Sequence, residues 1–224
     1  MDKKKNYWDI SYKNNDNLLF YPNEEVIRFF NKFVRRKTKN TIIKNNKIVV
    51  DIGCGSGRHL LYCLDNGYIP IGLDISNVAL KQAKLFLRSK EYFQNKDYKL
   101  IKSNSSKMNI KSDTIDYIIS HATLDSMNYK DMTNTVKEIY RILKKNSLGY
   151  VDLISDKVKR KGKFLNKYDQ LIYEKHERKT IQSYFNMERI KKTFKKFKIL
   201  EIYRIDKVVN KKLSNARYSV ILKK

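Results

Sequence analysis

The chain has 224 residues, 41% of them hydrophobic, and a formal net charge of +26. This length suffices for one substantial hydrophobic core but not for two full catalytic domains, and with only seven Gly and two Pro the composition excludes a largely disordered chain. No apolar stretch approaches the roughly 20 residues of a membrane span, and no apolar segment follows the charged start, so we predict one cytoplasmic domain over residues 1–224.

The positive charge is concentrated towards the C-terminus. Residues 157–224 contain 22 Lys or Arg against 6 Asp or Glu, whereas residues 1–156 contain 27 against 17. A basic surface is typical of proteins that bind nucleic acids or acidic substrates. However, 38 of the 49 basic residues are Lys, which lacks the planar fork with which Arg contacts phosphates and base edges. A nucleic-acid partner is therefore possible but not favoured, and a solvated surface stays the first interpretation.

The first 40 residues predict a helical lid. An aromatic segment with Tyr7, Trp8 and Tyr12 precedes an amphipathic helix that we predict over residues 23–36. Aromatic residues at this spacing more often serve packing, but their position before the core also suits a cover over a binding site.

A regular alternation of strands and helices follows over residues 47–155. Apolar, β-rich runs predict strands at 47–52, 68–74, 98–102, 115–120 and 148–154. Apolar periodicity predicts helices that begin at Arg58 and Ser76, and another over 130–144. This order is typical of an α/β fold with a parallel sheet.

The alternation breaks beyond residue 156. Apolar residues at helical spacing predict a helix within 164–172, and a second helix is predicted over 187–197. Two β-rich runs, 198–205 and 216–222, are separated by a short polar segment and predict an antiparallel hairpin. We expect residues 156–224 to form a substrate-side insertion and then a hairpin that closes the sheet.

A glycine-rich loop joins the first strand of the core to its first helix. It reads Asp51-Ile52-Gly53-Cys54-Gly55-Ser56-Gly57, and Asp74 ends the next strand. Such a loop lets the backbone approach a ligand closely, and the acid can accept both hydroxyls of a ribose. The dinucleotide fingerprint GxGxxG is not matched, because its third glycine would fall at Arg58. A ligand without a pyrophosphate is therefore favoured.

With an acid two residues before its first glycine, this loop resembles the first motif, DxGxGxG, of the class I S-adenosylmethionine-dependent methyltransferases. The resemblance covers residues 47–155. Residues 113–120 resemble the family's fourth strand with its acidic turn, and 140–147 are similar to the RxLKPGG turn, with Lys145-Asn146-Ser147 in place of Pro-Gly-Gly. The resemblance implies a Rossmann-like three-layer α/β sandwich, with a mostly parallel seven-stranded sheet and an antiparallel C-terminal strand.

The resemblance also implies S-adenosyl-L-methionine as the methyl donor. Its amino-acid part is expected against the loop residues Gly53, Cys54, Gly55 and Gly57. Asp51 would order this loop or meet the donor's amine through water.

At the nucleoside end, Asp74 is expected to accept the ribose hydroxyls and Ile75 to lie against the adenine. Asn104 would accept a hydrogen bond from the adenine amine, and Ser105 would offer its backbone N–H to the ring. Two of these residues also fit ordinary structural roles, since Asp74 suits a helix cap near Ser76 and Asn104 suits a turn.

The acceptor end is predicted from residues that flank the core. His121 follows the fourth strand, at the edge where open α/β sheets bind ligands, and is the candidate general base. It equally fits a contact with the donor's carboxylate or a buried hydrogen bond. Asp125 is a candidate to orient His121 or to bind the acceptor, although it also fits a helix N-terminus. Further acceptor-binding candidates are Tyr21, Glu25, Arg178 and Gln182.

We therefore predict methyl transfer to an oxygen or nitrogen atom of a small-molecule acceptor. Residues 120–123 read Ser-His-Ala-Thr, without the Asn/Asp-Pro-Pro-Tyr/Phe motif of enzymes that methylate amines of nucleic acids. Neither Cys54 nor Cys63 has the neighbourhood of a nucleophile, a disulfide or a metal ligand, so no metal is predicted. Two alternatives stay open: an RNA or protein methyltransferase that uses the basic C-terminal third, and a non-catalytic partner subunit that binds the donor.

Overall fold

A seven-stranded sheet is the centre of the computed structural model, which describes residues 3–14, 17–34, 46–174 and 179–224. The strands of this sheet are β1 (Ile48–Ile52), β2 (Ile69–Asp74), β3 (Lys99–Lys102), β4 (Ile115–Ser120), β5 (Leu143–Ile154), β9 (Lys198–Val209) and β10 (Lys212–Lys223). The helices are α1 (Lys3–Lys13), α2 (Glu24–Phe29), α3 (Arg58–Asp65), α4 (Asn77–Arg88), α5 (Tyr129–Ile142) and α6 (Met187–Thr193).

The strand order is β3-β2-β1-β4-β5-β10-β9. The pairs among β1 to β5 are parallel, whereas β10 runs antiparallel to both β5 and β9. This arrangement confirms the predicted, mostly parallel seven-stranded sheet with an antiparallel C-terminal strand. The order reverses between β1 and β4, so the loops after these strands diverge and open a crevice at the C-terminal edge.

Both faces of the sheet are covered, as the alternation of side chains along each strand requires. Val50 and Ile118 point into a core with α5 and α6, whereas their chain neighbours Val49 and Ile119 point into a second core with α2. Helix α2 is shorter than the helix predicted over 23–36, because it continues as a π-helical turn at Phe30–Val34. Residues 35 and 36 of that prediction lie outside the described residues.

The C-terminal hairpin is longer than predicted. Strands β9 and β10 pair from Lys198 with Lys223 to Val209 with Lys212, whereas the pairing of β10 with β5 ends at Arg217 and Ile154. The tip of the hairpin therefore extends beyond the rest of the sheet. Within the described part of the chain, no helix is both long and apolar enough to cross a membrane.

The backbone conformation near the start of β5 explains why Lys145-Asn146-Ser147 can replace Pro-Gly-Gly. Asn146 has a φ of 65°, which is the left-handed conformation that glycine adopts most readily. Asn tolerates this conformation better than most other residues do. Its N–H donates to the carbonyl oxygen of Lys224 (2.9 Å), so the turn is fixed to the end of β10.

The segment after β5 forms a small antiparallel sheet instead of the predicted helix within 164–172. Its strands are β6 (Gly162–Phe164), β7 (Asp169–Ile172) and β8 (Ile181–Ser183). The side chain of Asn166 accepts hydrogen bonds from the N–H groups of Tyr168 and Asp169, both at 2.9 Å, and closes a turn. The helix prediction was wrong because this turn and the pairing with β8 outweigh the helical spacing of the apolar residues.

Arg189 fastens this small sheet to the large one. Its guanidinium lies 4.5–4.7 Å from the ring centres of Tyr129, Tyr168 and Phe185, and 3.3 Å from a carboxylate oxygen of Asp169. Both charged groups are buried. Because β7 carries Asp169 and α6 carries Arg189, their contact joins the two parts of the chain.

Replacing the buried cation should therefore destabilise the protein. We expect Arg189→Met to lower the free energy of unfolding in urea by about 3 kcal/mol, because Asp169 would keep its buried charge without a cation beside it. The control is Arg204→Met, which breaks the exposed pair with Asp206 and should have a much smaller effect. Equal losses in the two variants would contradict a fastening role for Arg189.

Candidate functional site

A cavity of about 510 Å³ opens at the C-terminal edge of the parallel strands. Its walls come from the loops that follow four neighbouring strands: the glycine loop after β1, Asp74 and Ile75 after β2, residues 103–105 after β3, and residues 121–123 after β4. This volume lies within the range of small-molecule sites.

The glycine loop holds its shape through the end of β2. The N–H groups of Gly53 and Cys54 both donate to the carbonyl oxygen of Leu73, at 2.7 and 2.9 Å. Gly55 has a φ of 53°, and a Cβ atom there would lie 2.5 Å from the hydroxyl of Tyr12. A side chain at this position would be strained and would fill the cavity, so the loop needs glycine for both conformation and space.

Asp74 fixes the loop and the next helix at once. One carboxylate oxygen accepts from Gly55 N (2.9 Å), and the other accepts from Ser76 N (2.8 Å). Burial raises the pKa of Asp74 to about 6, although these backbone hydrogen bonds oppose the shift. The carboxyl group lines the cavity and can accept further hydrogen bonds there.

Asp51 lies at the end of β1 and is almost completely buried. Neither of its carboxylate oxygens has a hydrogen-bond partner among the described residues. The nearest basic group is Nδ1 of His59, at 3.6 Å, and Nε2 of His59 accepts from Asn23 N at 3.3 Å. An unpaired carboxylate beneath a glycine loop is costly, which points to a ligand that supplies a complementary charge or donor.

Comparison with known proteins identifies this arrangement. Residues 50–151 match the model of a methyltransferase domain family. This match supports the resemblance of the glycine loop and the sheet to the class I S-adenosylmethionine-dependent methyltransferases.

Similar proteins share this fold over most of their length. A SAM-dependent methyltransferase of Methanosarcina mazei is 19% identical, with a TM-score of 0.72 over 91% of this chain and 98% of that one. The 1,6-didemethyltoxoflavin-N1-methyltransferase of Burkholderia thailandensis is 12% identical, with a TM-score of 0.69 over 98% of this chain and 86% of that one. In sequence, a protein of Geobacillus sp. (strain WCH70) named as a methyltransferase is 26% identical over 138 residues; the match covers 59% of this chain and 53% of that protein.

Helix α1 forms a roof over the cavity. The carboxylate of Asp9 accepts hydrogen bonds from Ser76 Oγ (2.5 Å) and Val78 N (3.3 Å), which places it at the N-terminus of α4. The side chain of Gln82, also on α4, donates to the carbonyl oxygen of Tyr12 at 2.8 Å. Trp8 and Tyr12 both line the cavity.

His121 lies in the cavity wall with both ring nitrogens directed at protein groups. Nδ1 is 3.2 Å from a guanidinium nitrogen of Arg58, and Nε2 is 3.8 Å from Asp152. Because guanidinium only donates, Nδ1 is the acceptor and the proton lies on Nε2. Burial lowers the pKa of His121 to about 4, although the charge of Asp152 opposes the shift. The imidazole is therefore neutral at pH 7 and a weak base.

A buried ion cluster lies behind His121. Arg217 on β10 donates to Asp152 on β5 and to Asp125, the latter at 2.5 Å. Although burial opposes it, the charges of Arg217 and His121 lower the pKa of Asp152 to about 2. Asp152 therefore stays ionised, and it also accepts from Ala122 N at the end of β4. The cluster fixes the loop that carries His121.

The nucleoside-side candidates line the cavity, but the side chain of one of them is already hydrogen-bonded within the protein. The amide oxygen of Asn104 accepts from Ser106 N (3.0 Å) and Ser106 Oγ (2.9 Å), which fills both of its lone pairs. The hydrogen bond predicted from the adenine amine would have to displace Ser106. The hydroxyl of Ser105 is 3.1 Å from that of Thr135, so Ser105 is tied to α5.

The acceptor-side candidates do not meet at the cavity. Asp125 is buried against Arg217 and accepts from Ile154 N (2.8 Å), and Gln182 donates to the carbonyl oxygen of Asp125 (2.7 Å). Glu25 accepts a hydrogen bond from Tyr203 at the side of β9, and Tyr21 is 85% exposed. None of these four lines the cavity, and Arg178 lies outside the described residues.

The lining also includes residues that were not among the predicted site residues, among them Arg58, Thr123 and Lys179. For Arg58 the available signal was a cation directly after the last glycine of the loop. Thr123 packs against Gly53, where a Cβ atom would collide with its side chain. Lys179 belongs to a region whose polar and aromatic side chains suggested the acceptor side, but only the tertiary structure selects it from its neighbours.

The roof should loosen when its anchor to α4 is removed. A helix as short as α1 is marginal by itself, so its position depends on tertiary contacts such as that of Asp9. We expect Asp9→Ala to increase amide hydrogen exchange over α1 about tenfold and to shift the Trp8 emission to the red.

The matched control is Asp206→Ala, which removes the same charge on β9 and should leave both signals unchanged. Unchanged exchange in Asp9→Ala would show that α1 does not depend on this contact.

Proposed function

We propose that this protein transfers a methyl group from S-adenosylmethionine to an oxygen or nitrogen atom of a small-molecule acceptor. The observation that carries the proposal is the continuous cavity between the glycine loop and the small sheet. One end is lined by Gly53, Gly55 and Asp74 and the other by Leu171 and Ile181, while α1 reaches both, with Tyr12 beside Gly55 and Tyr7 beside Lys179. A donor at the first end would leave space for a second molecule under the roof.

The residues present fit the donor. Asp51 offers an unpaired carboxylate beneath the loop, suited to the donor's ammonium group directly or through water. Asp74 would accept the ribose hydroxyls, as acids at this position do in related folds. Ile75 and Ser105 would line the adenine. Arg58 is the cation in the lining nearest to the glycine loop and would pair with the donor's carboxylate.

Charge also favours this donor over a neutral ligand. Asp51 and Asp74 are both buried at this edge of the sheet, in a chain whose net charge is +26. S-adenosylmethionine supplies an electrophilic methyl group on a positively charged sulfur. Buried carboxylates complement such a cation because their field is weakly screened.

The chain's own contribution to the reaction is positional. The glycine loop fixes one reactant, and the roof and the small sheet confine the other, which raises their effective concentration and excludes water. The low pKa of His121 and its contacts do not favour proton abstraction. We propose instead that His121 orients Arg58.

Two other functions are carried by weaker observations. The basic C-terminal third suits an RNA or protein substrate, but the acceptor end of the cavity is largely aromatic and apolar. A non-catalytic subunit would bind the donor without turnover. Release of S-adenosylhomocysteine across candidate acceptors, measured at several salt concentrations, separates these cases, because phosphate contacts make binding fall steeply with ionic strength.

Donor binding should depend on pH through Asp74. Below pH 6 this carboxyl group is protonated in the free protein, and ribose hydroxyls donate better to its charged form. Affinity for S-adenosylhomocysteine, measured by calorimetry, should therefore rise as the pH increases through about 6 and fall by up to about tenfold per pH unit below it.

Asp74→Asn is the matched variant, since the amide keeps one oxygen acceptor but cannot ionise. It should bind more weakly above pH 6 and lose the pH dependence. A chain that binds neither S-adenosylmethionine nor S-adenosylhomocysteine at any pH would refute the proposed function.

The proposed role of His121 predicts coupling with Arg58. His121→Ala and Arg58→Ala should each weaken S-adenosylhomocysteine binding, and the double variant should lose less than the sum of the two effects, because both act through one contact. Calorimetry on the four proteins measures this. Strictly additive losses would contradict the proposed contact between His121 and Arg58. Normal donor binding with abolished turnover in His121→Ala would favour the general-base hypothesis.

A further inference from the structure

We propose that the acceptor is an aromatic carboxylate whose ring lies between the roof and the small sheet and whose acid group meets Lys179. This inference rests on the proposed function, since it assigns the acceptor end of the same cavity. It is carried by the residues that line that end and by the position of their charges.

The shape of the acceptor end favours a ring. Aromatic side chains of α1, Tyr7 and Trp8, line it from above, and the aliphatic side chains of Leu171 and Ile181 line it from the small sheet. Met127 completes this lining with a side chain that adapts to a bound surface. Aromatic rings pack favourably against such walls through stacking and dispersion.

Two cations line the cavity among the described residues. Arg58 contacts His121 beside the glycine loop, and Lys179 lies two positions before β8. The ammonium of Lys179 lies 5.6 Å from the ring centre of Tyr7, so the cation is held over an aromatic wall of the acceptor end. Because Lys179 is exposed at the rim, it can meet an acid group without being buried.

One acid of the lining, Asp131, has a contact of its own within the protein. Asp131 lies in the first turn of α5, where its carboxylate accepts from the side chain of Asn128 at 3.0 Å. Its backbone oxygen accepts from Thr135, the residue that contacts Ser105 after β3. Asp131 is therefore held at the start of α5, whereas Lys179 lies beside Tyr7 of α1. An aromatic ring that carries an acid group therefore fits the contact at Lys179 better than a neutral or cationic ring does.

The single tryptophan of the chain makes the inference directly measurable. Trp8 lines the acceptor end, so its fluorescence reports on a molecule bound there. The protein is first loaded with S-adenosylhomocysteine and then titrated with 4-hydroxybenzoate or 4-hydroxyphenylacetate, each compared with its own amide. The amides keep the ring and the size but carry no charge.

We expect each acid to bind about five to ten times more tightly than its amide, the range of a charged contact at a partly solvated rim. Lys179→Met should remove this preference, and Lys179→Arg should restore it. Lys163→Met, on β6 outside the cavity lining, removes the same charge and should leave the preference unchanged.

The outcomes separate this inference from the proposed function. Failure to bind S-adenosylhomocysteine in the first step would refute the function itself. Normal loading followed by equal affinity for acids and amides, or a preference that persists in Lys179→Met, would overturn only the aromatic carboxylate.

Discussion

The carboxylate of Asp74 is the contact on which the rest of the site depends. Its oxygens hold the glycine loop through Gly55 N and the start of α4 through Ser76 N. The hydroxyl of Ser76 then donates to Asp9, which anchors the roof. One buried acid at the end of β2 therefore positions the glycine loop, α4 and the roof. Burial keeps its pKa near 6, so its charge form changes close to neutral pH and responds to whatever binds beside it.

A second constraint is the distribution of charge. The chain carries 49 Lys and Arg against 23 Asp and Glu, yet several of those acids are buried at the C-terminal edge of the sheet. Arg217 neutralises Asp125 and Asp152 and fixes the loop after β4, whereas Asp51 is left without a hydrogen-bond partner among the described residues. The protein surface is thus strongly basic while the proposed donor end is acidic. A cationic donor and an anionic acceptor fit the opposite ends of one cavity.

Prediction from sequence succeeded where a local pattern has one structural solution. Short apolar runs alternating with amphipathic segments gave β1 to β5, since strands buried on both faces must be apolar. It failed at 164–172, where the spacing of the apolar residues fits both a helix and a strand. There the turn at Asn166 selects the strand. Asp125 and Gln182 were predicted at the acceptor because they are polar residues near the core. The fold buries them against each other, because their partners are far away in the sequence.

The sequence by itself determined the sheet, the glycine loop, the acid at the end of β2 and hence the resemblance to a methyltransferase family. These features depend on residues close together in the chain, whose spacing alone fixes strand, turn and helix. Only the tertiary structure decided which side chains surround the cavity. Tyr7 and Lys179 are 172 positions apart in the sequence, yet their side chains are in contact. Asp9 and Ser76 are 67 positions apart and form a hydrogen bond. No local pattern encodes such pairs, because they form only when α1 and the small sheet pack onto the same edge.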